Sequence, residues 1–187
     1  MTHATPTGNQ IELSTKKYIV SKTDAKGIIE YGNDYFVEIS GYTENELIGQ
    51  PHSIIRHPDM PKVAFKLMWD RIKDGKNFMA IVKNLAKNGD HYWVITEFEP
   101  KKDTITGEII SHTAFRKAAP QKAIDSIEPI YTELLRIEKE HGMEASEKYL
   151  RGFLDENHTN YDDFINELVG NKGLFKIFFA AMKKLFS

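Results

Sequence analysis

The chain has 187 residues, of which 41% are hydrophobic and 28% charged, a balance typical of soluble globular proteins. Its formal net charge of -2 gives no overall attraction to nucleic acid, and the lack of cysteine excludes disulfides, thiolate metal sites and cysteine nucleophiles. No stretch approaches the roughly 20 apolar residues that span a bilayer, and the polar start of the chain does not resemble a signal peptide. We therefore expect a cytoplasmic protein without a nucleic-acid partner.

The predicted elements in the first third of the chain are short. Residues 1–16 are small and polar, and we expect them to be flexible. Two β-branched runs, 18–21 and 28–31, are joined by a glycine-containing turn and predict a hairpin. Asn33 then stands where it can cap a short helix. Prolines interrupt residues 51–61, so that only short helical turns fit there.

One longer helix and three strands follow. The helix is predicted over 61–73, and strands over 78–84, 91–99 and 108–116, with an Asn-Gly hairpin turn between the first two strands. Local pairing of these elements gives an α+β fold in which a five-stranded antiparallel sheet carries its helices on one face. The helices and the inner face of the sheet would enclose a pocket.

The sequence changes character near Pro120. The predicted domain therefore occupies residues 17–117, and a helical C-terminal region occupies 118–187. In the last predicted helix, 174–186, apolar residues fill one broad face and three lysines lie on the other. Such a helix can dock on the protein's own sheet or tail helices, in a groove of a partner, or on a membrane surface, and the sequence leaves these three open.

Several motifs stand at fixed places in this pattern: T-D-x-x-G at 23–27, S-G-Y at 40–42, R-H-P-D-M-P at 56–61, V-K-N at 82–84 and K-N-G-D-x-Y-W at 87–93. Together they resemble the PAS domain of bacterial aerotaxis (energy-taxis) receptors, and the R-H-P-D-M-P segment is what singles out this branch. The resemblance implies a PAS fold, a bound FAD whose redox state is reported, and no enzymatic turnover. It also implies a soluble PAS protein that signals to a separate membrane-bound chemoreceptor, and it leaves a homodimer open.

The R-H-P-D turn offers three groups to a dinucleotide flavin. Arg56 can form a charge-assisted fork with phosphate, His57 can donate to phosphate or stack, and Asp59 can orient either one or accept from a ribose hydroxyl. The same residues also fit a purely structural role, in which Asp59 caps the following helix and pairs with Arg56.

The remaining candidates lie on the helix and the strands. The carboxamide of Asn84 can both donate to and accept from a flavin ring edge, and the resemblance implies that contact. Trp69 can stack on the ring, whereas only one of the strand neighbours Tyr92 and Trp93 can face the pocket. Phe78 stands where the family usually carries tryptophan. The candidate cofactor-binding residues are therefore Asn33, Arg56, His57, Asp59, Trp69, Phe78, Asn84 and Trp93.

Two alternatives remain beside FAD. A PAS pocket can hold haem b through one histidine, and His52, His57, His91 and His112 are available. A PAS domain can also be a ligand-free interaction module. We expect no metal site, because no two histidines have the spacing of helical metal ligands, and no enzyme, because no hydrolase or phosphate-loop motif occurs.

Overall fold

The computed structural model describes residues 4–170 and is built around one sheet. Its five strands are β1 (Ile19–Asp24), β2 (Ile29–Gly32), β3 (Phe78–Leu85), β4 (His91–Lys102) and β5 (Ile109–Ala118). Every neighbouring pair is antiparallel, and the order across the sheet is β2-β1-β5-β4-β3. The predicted five-stranded antiparallel sheet is confirmed. The amphipathic segment 174–186 lies outside the described residues.

Short helices between the second and third strands cover one face of the sheet. They are α1 (Asp34–Ser40), α2 (Glu44–Leu47), a 3-10 turn (His52–Ile55) and α3 (Lys62–Lys73). Asn33 caps α1 as the sequence predicts, because its side-chain oxygen accepts from the backbone N–H of Phe36 at 3.1 Å. Helix α3 provides the roof over the sheet.

Three further helices form the C-terminal region: α4 (Gln121–His141), α5 (Met143–Glu156) and α6 (Tyr161–Leu168). Helix α4 packs on the face of the sheet opposite α3. There the ring of Tyr131 stacks on Trp93 with centroids 6.5 Å apart, and its hydroxyl donates to the carbonyl of Ile81 at 2.8 Å. The physical reason is the composition of β3 and of the first half of β4, where most side chains are apolar and those on both faces are buried. The sequence predicts helices on one face, and the structure adds α4 on the other.

The N-terminal segment, expected to be flexible, bonds to the β3–β4 hairpin. The backbone N–H of Thr7 donates to the carbonyl of Gly89 at 2.9 Å, and that of Ile11 donates to His91 at 2.7 Å. Gly89 has a φ of 91°, and a Cβ there would lie 2.2 Å from the carbonyl oxygen of Thr5. The glycine of the turn therefore serves both the hairpin and the segment that crosses it.

No helix within residues 4–170 is both long enough and apolar enough to cross a bilayer.

Candidate functional site

A cavity of about 210 Å³ lies between α3 and the inner face of the sheet. Its roof comes from the α3 side chains Phe65, Met68, Trp69 and Ile72, together with Ile55 of the 3-10 turn. Its floor alternates along the strands, so that Val82 and Asn84 of β3 face it while Lys83 between them faces away. The polar lining residues stand mostly on the floor and at one end: Ser21, Thr23, Lys26, His52, Ser53, Arg56, Asn84, Thr96, His112 and Arg116.

Arg116 is the largest buried polar group of this cavity. Its side chain comes from β5 and is 2% exposed, and its guanidinium donates to Ser21 Oγ at 2.9 Å and to His52 Nε2 at 2.8 Å. No carboxylate of the described residues pairs with it. Burial lowers the pKa of Arg116 to about 10, which still leaves it cationic at neutral pH. The cavity therefore holds an uncompensated positive charge.

His52 is held neutral beside this charge. Its pKa lies well below the usual value because of burial first, and then because of the positive charges of Arg116 and Arg56. Since Arg116 donates to its Nε2, the proton of the neutral ring belongs on Nδ1. The ring also stacks on Phe36, with centroids 5.9 Å apart. His52 thus serves as an acceptor that fixes the guanidinium.

Four side chains that line the cavity carry buried polar atoms without a partner. They are the Nδ2 amide of Asn84, the Nε of Arg56, the hydroxyl of Thr96 and the Nδ1 of His112. Asn84 and Arg56 are also joined by an antiparallel backbone bridge, and the Arg56 guanidinium lies 3.8 Å from the centroid of Phe65. An unpaired buried donor costs about 1–3 kcal/mol, so these groups indicate a ligand that accepts hydrogen bonds.

Trp69 and His112 stand at the side of the cavity near the β1–β2 turn. Their rings meet edge to face with centroids 5.7 Å apart, and His112 Nε2 lies 3.3 Å from the carbonyl of Ala25. A Cβ on Gly27, whose φ is 85°, would touch the Trp69 ring at 3.4 Å. That distance is an ordinary van der Waals contact, so it is the positive φ of the turn that favours glycine here.

His57 and Asp59 do not line the cavity, although Arg56 beside them does. His57 Nδ1 accepts from the backbone N–H of Asp59 at 3.1 Å, and the Asp59 carboxylate pairs with Lys83 at 3.0 Å. Burial, with a smaller contribution from Lys83, lowers the pKa of His57 to about 4. The structure places both residues on the side of β3 that faces α4, where they order the turn before α3.

Three other predicted residues stand away from the cavity lining. Trp93 lies under α4, so its neighbour Tyr92 is the residue of this pair on the inner face. Phe78 stacks on Tyr161 of α6 with centroids 5.1 Å apart. The side chain of Asn33 bonds to backbone groups: it accepts from the N–H of Val20 at 3.0 Å and donates to the carbonyl of Tyr18 at 2.8 Å. Of the predicted set, the structure brings together Arg56, Trp69 and Asn84.

The sequence interpretation missed the group of Arg116, His52 and Ser21. A signal was present, because β5 alternates His112, Ala114 and Arg116 on one face, and this face continues the cavity floor. The sequence suggested His52 only as a possible ligand of haem or metal. No group of three or more acidic or imidazole side chains among the described residues is placed to hold a metal ion.

Comparison with known proteins agrees with this architecture. The protein family described as the PAS fold matches residues 29–110. The chain contains a PAS domain. Over 132 residues, which are 71% of the chain, the sequence is 42% identical to the aerotaxis receptor of Escherichia coli, so the resemblance that the motifs indicate is confirmed. The biofilm dispersion protein BdlA of Pseudomonas aeruginosa is 25% identical over 81 residues, 43% of the chain.

The PAS domain is also similar to solved structures. A light-oxygen-voltage domain studied with a flavin analogue has a TM-score of 0.52 at 15% identity, over 59% of this chain and 82% of that one. This likeness supports the fold. The chain spans 26% of the aerotaxis receptor and 19% of the biofilm dispersion protein.

Proposed function

We propose that this PAS domain binds FAD in the cavity and acts as a redox sensor, which passes the state of the flavin to a membrane-bound chemoreceptor-like partner. The observation that carries the proposal is the buried guanidinium of Arg116, which has no carboxylate partner among residues 4–170. The similarity to the aerotaxis receptor supports the same function.

The polar groups of the cavity fit a flavin. The ring edge of a flavin presents several carbonyl oxygens, and Asn84 Nδ2 and Arg56 Nε are buried donors that lack acceptors. The apolar roof of Met68, Trp69 and Ile72 suits a flat aromatic ring. FAD supplies reversible one- or two-electron chemistry, which changes the charge of its ring.

The residues of this chain would respond to that charge. Arg116 favours negative charge in the cavity because it is cationic and buried, and because its hydrogen-bond partners His52 and Ser21 are neutral. Asn84 can donate or accept by turning its carboxamide, so its hydrogen bonding can follow the protonation of a ring edge. Because Asn84 belongs to β3, a change in its bonding would act on that strand. We assign sensing rather than turnover to this site, in the cytoplasm, with contact to the membrane through the partner.

Haem b is the less favourable occupant. The Nε2 atoms of both histidines that line the cavity lie beside a protein group, Arg116 for His52 and the carbonyl of Ala25 for His112. An axial ligand would have to give up one of these contacts or use the unpaired Nδ1 of His112. A ligand-free module would leave the positive charge of Arg116 without any function.

The visible absorbance spectrum of the purified chain, followed by denaturation and identification of the released pigment, tests the proposal. We expect the bands of oxidised flavin and the release of FAD. The variant Asn84→Ala should retain less pigment, whereas Asn77→Ala, which removes an exposed amide just before the same strand, should retain the normal amount. A Soret band, or a colourless protein that takes up no added FAD, would refute the proposal.

A further inference from the structure

Helix α4 lies outside the cavity but forms hydrogen bonds and an ion pair with two elements that line it. One is β3 of the floor, which contributes Val82 and Asn84, and the other is α3, the roof, which contributes Phe65, Met68, Trp69 and Ile72. No residue of α4 lines the cavity itself. A change in the docking of this helix can reach the cavity through these two elements, and along the chain through β5, which ends just before α4 and carries Arg116.

The bond to α3 is a helix cap supplied from a distant part of the chain. Helix α3 starts after Pro61, which has no side chain that could cap it. Instead the carboxylate of Glu138 accepts from the backbone N–H of Lys62 at 2.9 Å and from that of Val63 at 2.8 Å. A carboxylate at this position satisfies two unpaired donors and complements the positive end of the helix dipole. The first turn of α3 is thus fixed by α4.

The bonds to β3 alternate with the cavity residues of that strand. Tyr131 donates to the carbonyl of Ile81 at 2.8 Å, and Glu128 pairs with Lys83 at 3.3 Å. Val82 and Asn84 stand directly after these two positions and point the other way. A displacement of β3 at Asn84 would therefore also move the groups that hold α4.

Other bonds to α3 are weaker. Lys66 pairs with Glu147 of α5 at 3.3 Å, and Arg71 pairs with Asp162 of α6, but about a third or more of each cationic side chain is exposed. Exposed ion pairs contribute little to stability, whereas a carboxylate that caps a helix satisfies two backbone donors that have no partner within the helix. Glu138 is thus the main polar connection between the C-terminal helices and the roof of the cavity.

We propose that Glu138 is a positioning residue for the cavity, and that the docking of α4 is coupled through it to the binding of the flavin. The inference rests on the proposed function as far as the flavin is concerned. By linkage, if FAD binding strengthens the docking of α4, then weakening the docking must weaken FAD binding by the same factor. The side-chain hydrogen bonds of Glu138 go to the backbone of Lys62 and Val63, neither of which lines the cavity.

The test compares three variants of the full chain by FAD titration at a temperature where circular dichroism shows each one folded. Glu138→Ala removes both acceptors and should weaken FAD binding about fivefold or more, the lower end of typical coupling factors. Glu138→Gln keeps one acceptor oxygen and should fall between Glu138→Ala and the wild type. Glu140→Ala, on the exposed face of the same helix, should bind FAD like the wild type.

Hydrogen exchange of the apoprotein separates this inference from the proposed function. Glu138→Ala should increase exchange at Lys62 and Val63 and also in β3 around Asn84, while Glu140→Ala should not. If the wild type bound no FAD, the proposed function would fail. The exchange data would still show whether the docking of α4 affects β3 and α3. Unchanged exchange in β3, or unchanged FAD affinity in Glu138→Ala, would overturn the inference.

Discussion

At the scale of single residues, the cavity is defined by charge. Arg116 is buried at the floor, and within the described part of the chain its side chain donates to the neutral side chains of Ser21 and His52. A buried cation normally pairs with a carboxylate, since an isolated one is costly to remove from water. In the free protein the desolvation of Arg116 therefore destabilises the fold, and a bound group that gains negative charge would offset this destabilisation.

Replacing Arg116 by methionine should make the flavin harder to reduce. The neutral side chain no longer stabilises added negative charge, and we expect the two-electron midpoint potential to fall by about 30 mV or more, which corresponds to a tenfold change in the equilibrium constant. Spectroelectrochemical titration measures it. Lys101→Met, which removes an exposed cation from β4, should leave the potential unchanged. An equal potential in Arg116→Met would show that the guanidinium does not act on the flavin.

Asn33 is a structural residue in this geometry, because backbone partners use both ends of its side chain. We expect Asn33→Ala to lower the free energy of unfolding of the apoprotein by about 2–4 kcal/mol, the sum of a lost cap and lost buried hydrogen bonds. Urea unfolding measures this. Asn160→Ala removes only the cap of α6 and should cost about 1 kcal/mol. A stable apoprotein that has lost only its pigment would instead assign Asn33 to the cofactor.

These residues show what local patterns can and cannot predict. The cap at Asn33 and the cavity positions of Asn84 and Trp69 follow from spacing and from the family motifs. The positions of His57 and Trp93 depend on which face of the sheet they occupy. Trp93 belongs to a strand that is apolar on both faces, so alternation alone could not tell the cavity face from the α4 face.

At the scale of elements, the sheet packs against α3 on one face and against α4 on the other. The order of strands and helices was predictable, because turns and caps between them are local signals. The docking of α4 on β3 and β4 was not, because it joins residues far apart in the chain, such as Tyr131 and Ile81. An amphipathic helix shows that it has an apolar face but not which surface covers it.

Tyr131→Phe tests the docking of α4. Loss of the hydroxyl leaves the buried carbonyl of Ile81 without this donor, and we expect a loss of about 1–3 kcal/mol in the free energy of unfolding. Chemical denaturation of the apoprotein measures it. Tyr149→Phe, at a position that is 43% exposed, should change stability by less than about 0.5 kcal/mol. Equal effects of the two substitutions would argue against a specific bond between α4 and β3.

At the scale of the whole molecule, three histidines make stability depend on pH. Burial lowers the pKa of His52, His57 and His91, that of His57 to about 4, so the folded protein keeps them neutral. The unfolded chain takes up protons on them below about pH 6.5. Stability should therefore be complete above that pH and decline as the pH falls toward 4, because the unfolded state binds more protons.

Urea unfolding at several pH values between 7.5 and 5 checks this. Each histidine contributes up to about 1.4 kcal/mol per pH unit, and His57→Gln should remove one such share of the slope. The window lies above the range in which the aspartates and glutamates titrate, so they do not produce the decline. Stability that stays constant or rises on acidification to pH 5 would contradict the neutral assignment.

We propose above all that the cavity between α3 and the sheet binds FAD. Titration of the apoprotein with FAD, followed by the quenching of flavin fluorescence, tests it most directly. We predict saturation at one FAD per chain, with binding weakened when the amide of Asn84 is removed. An absence of saturable binding, or binding that Asn84→Ala leaves unchanged, would contradict the account.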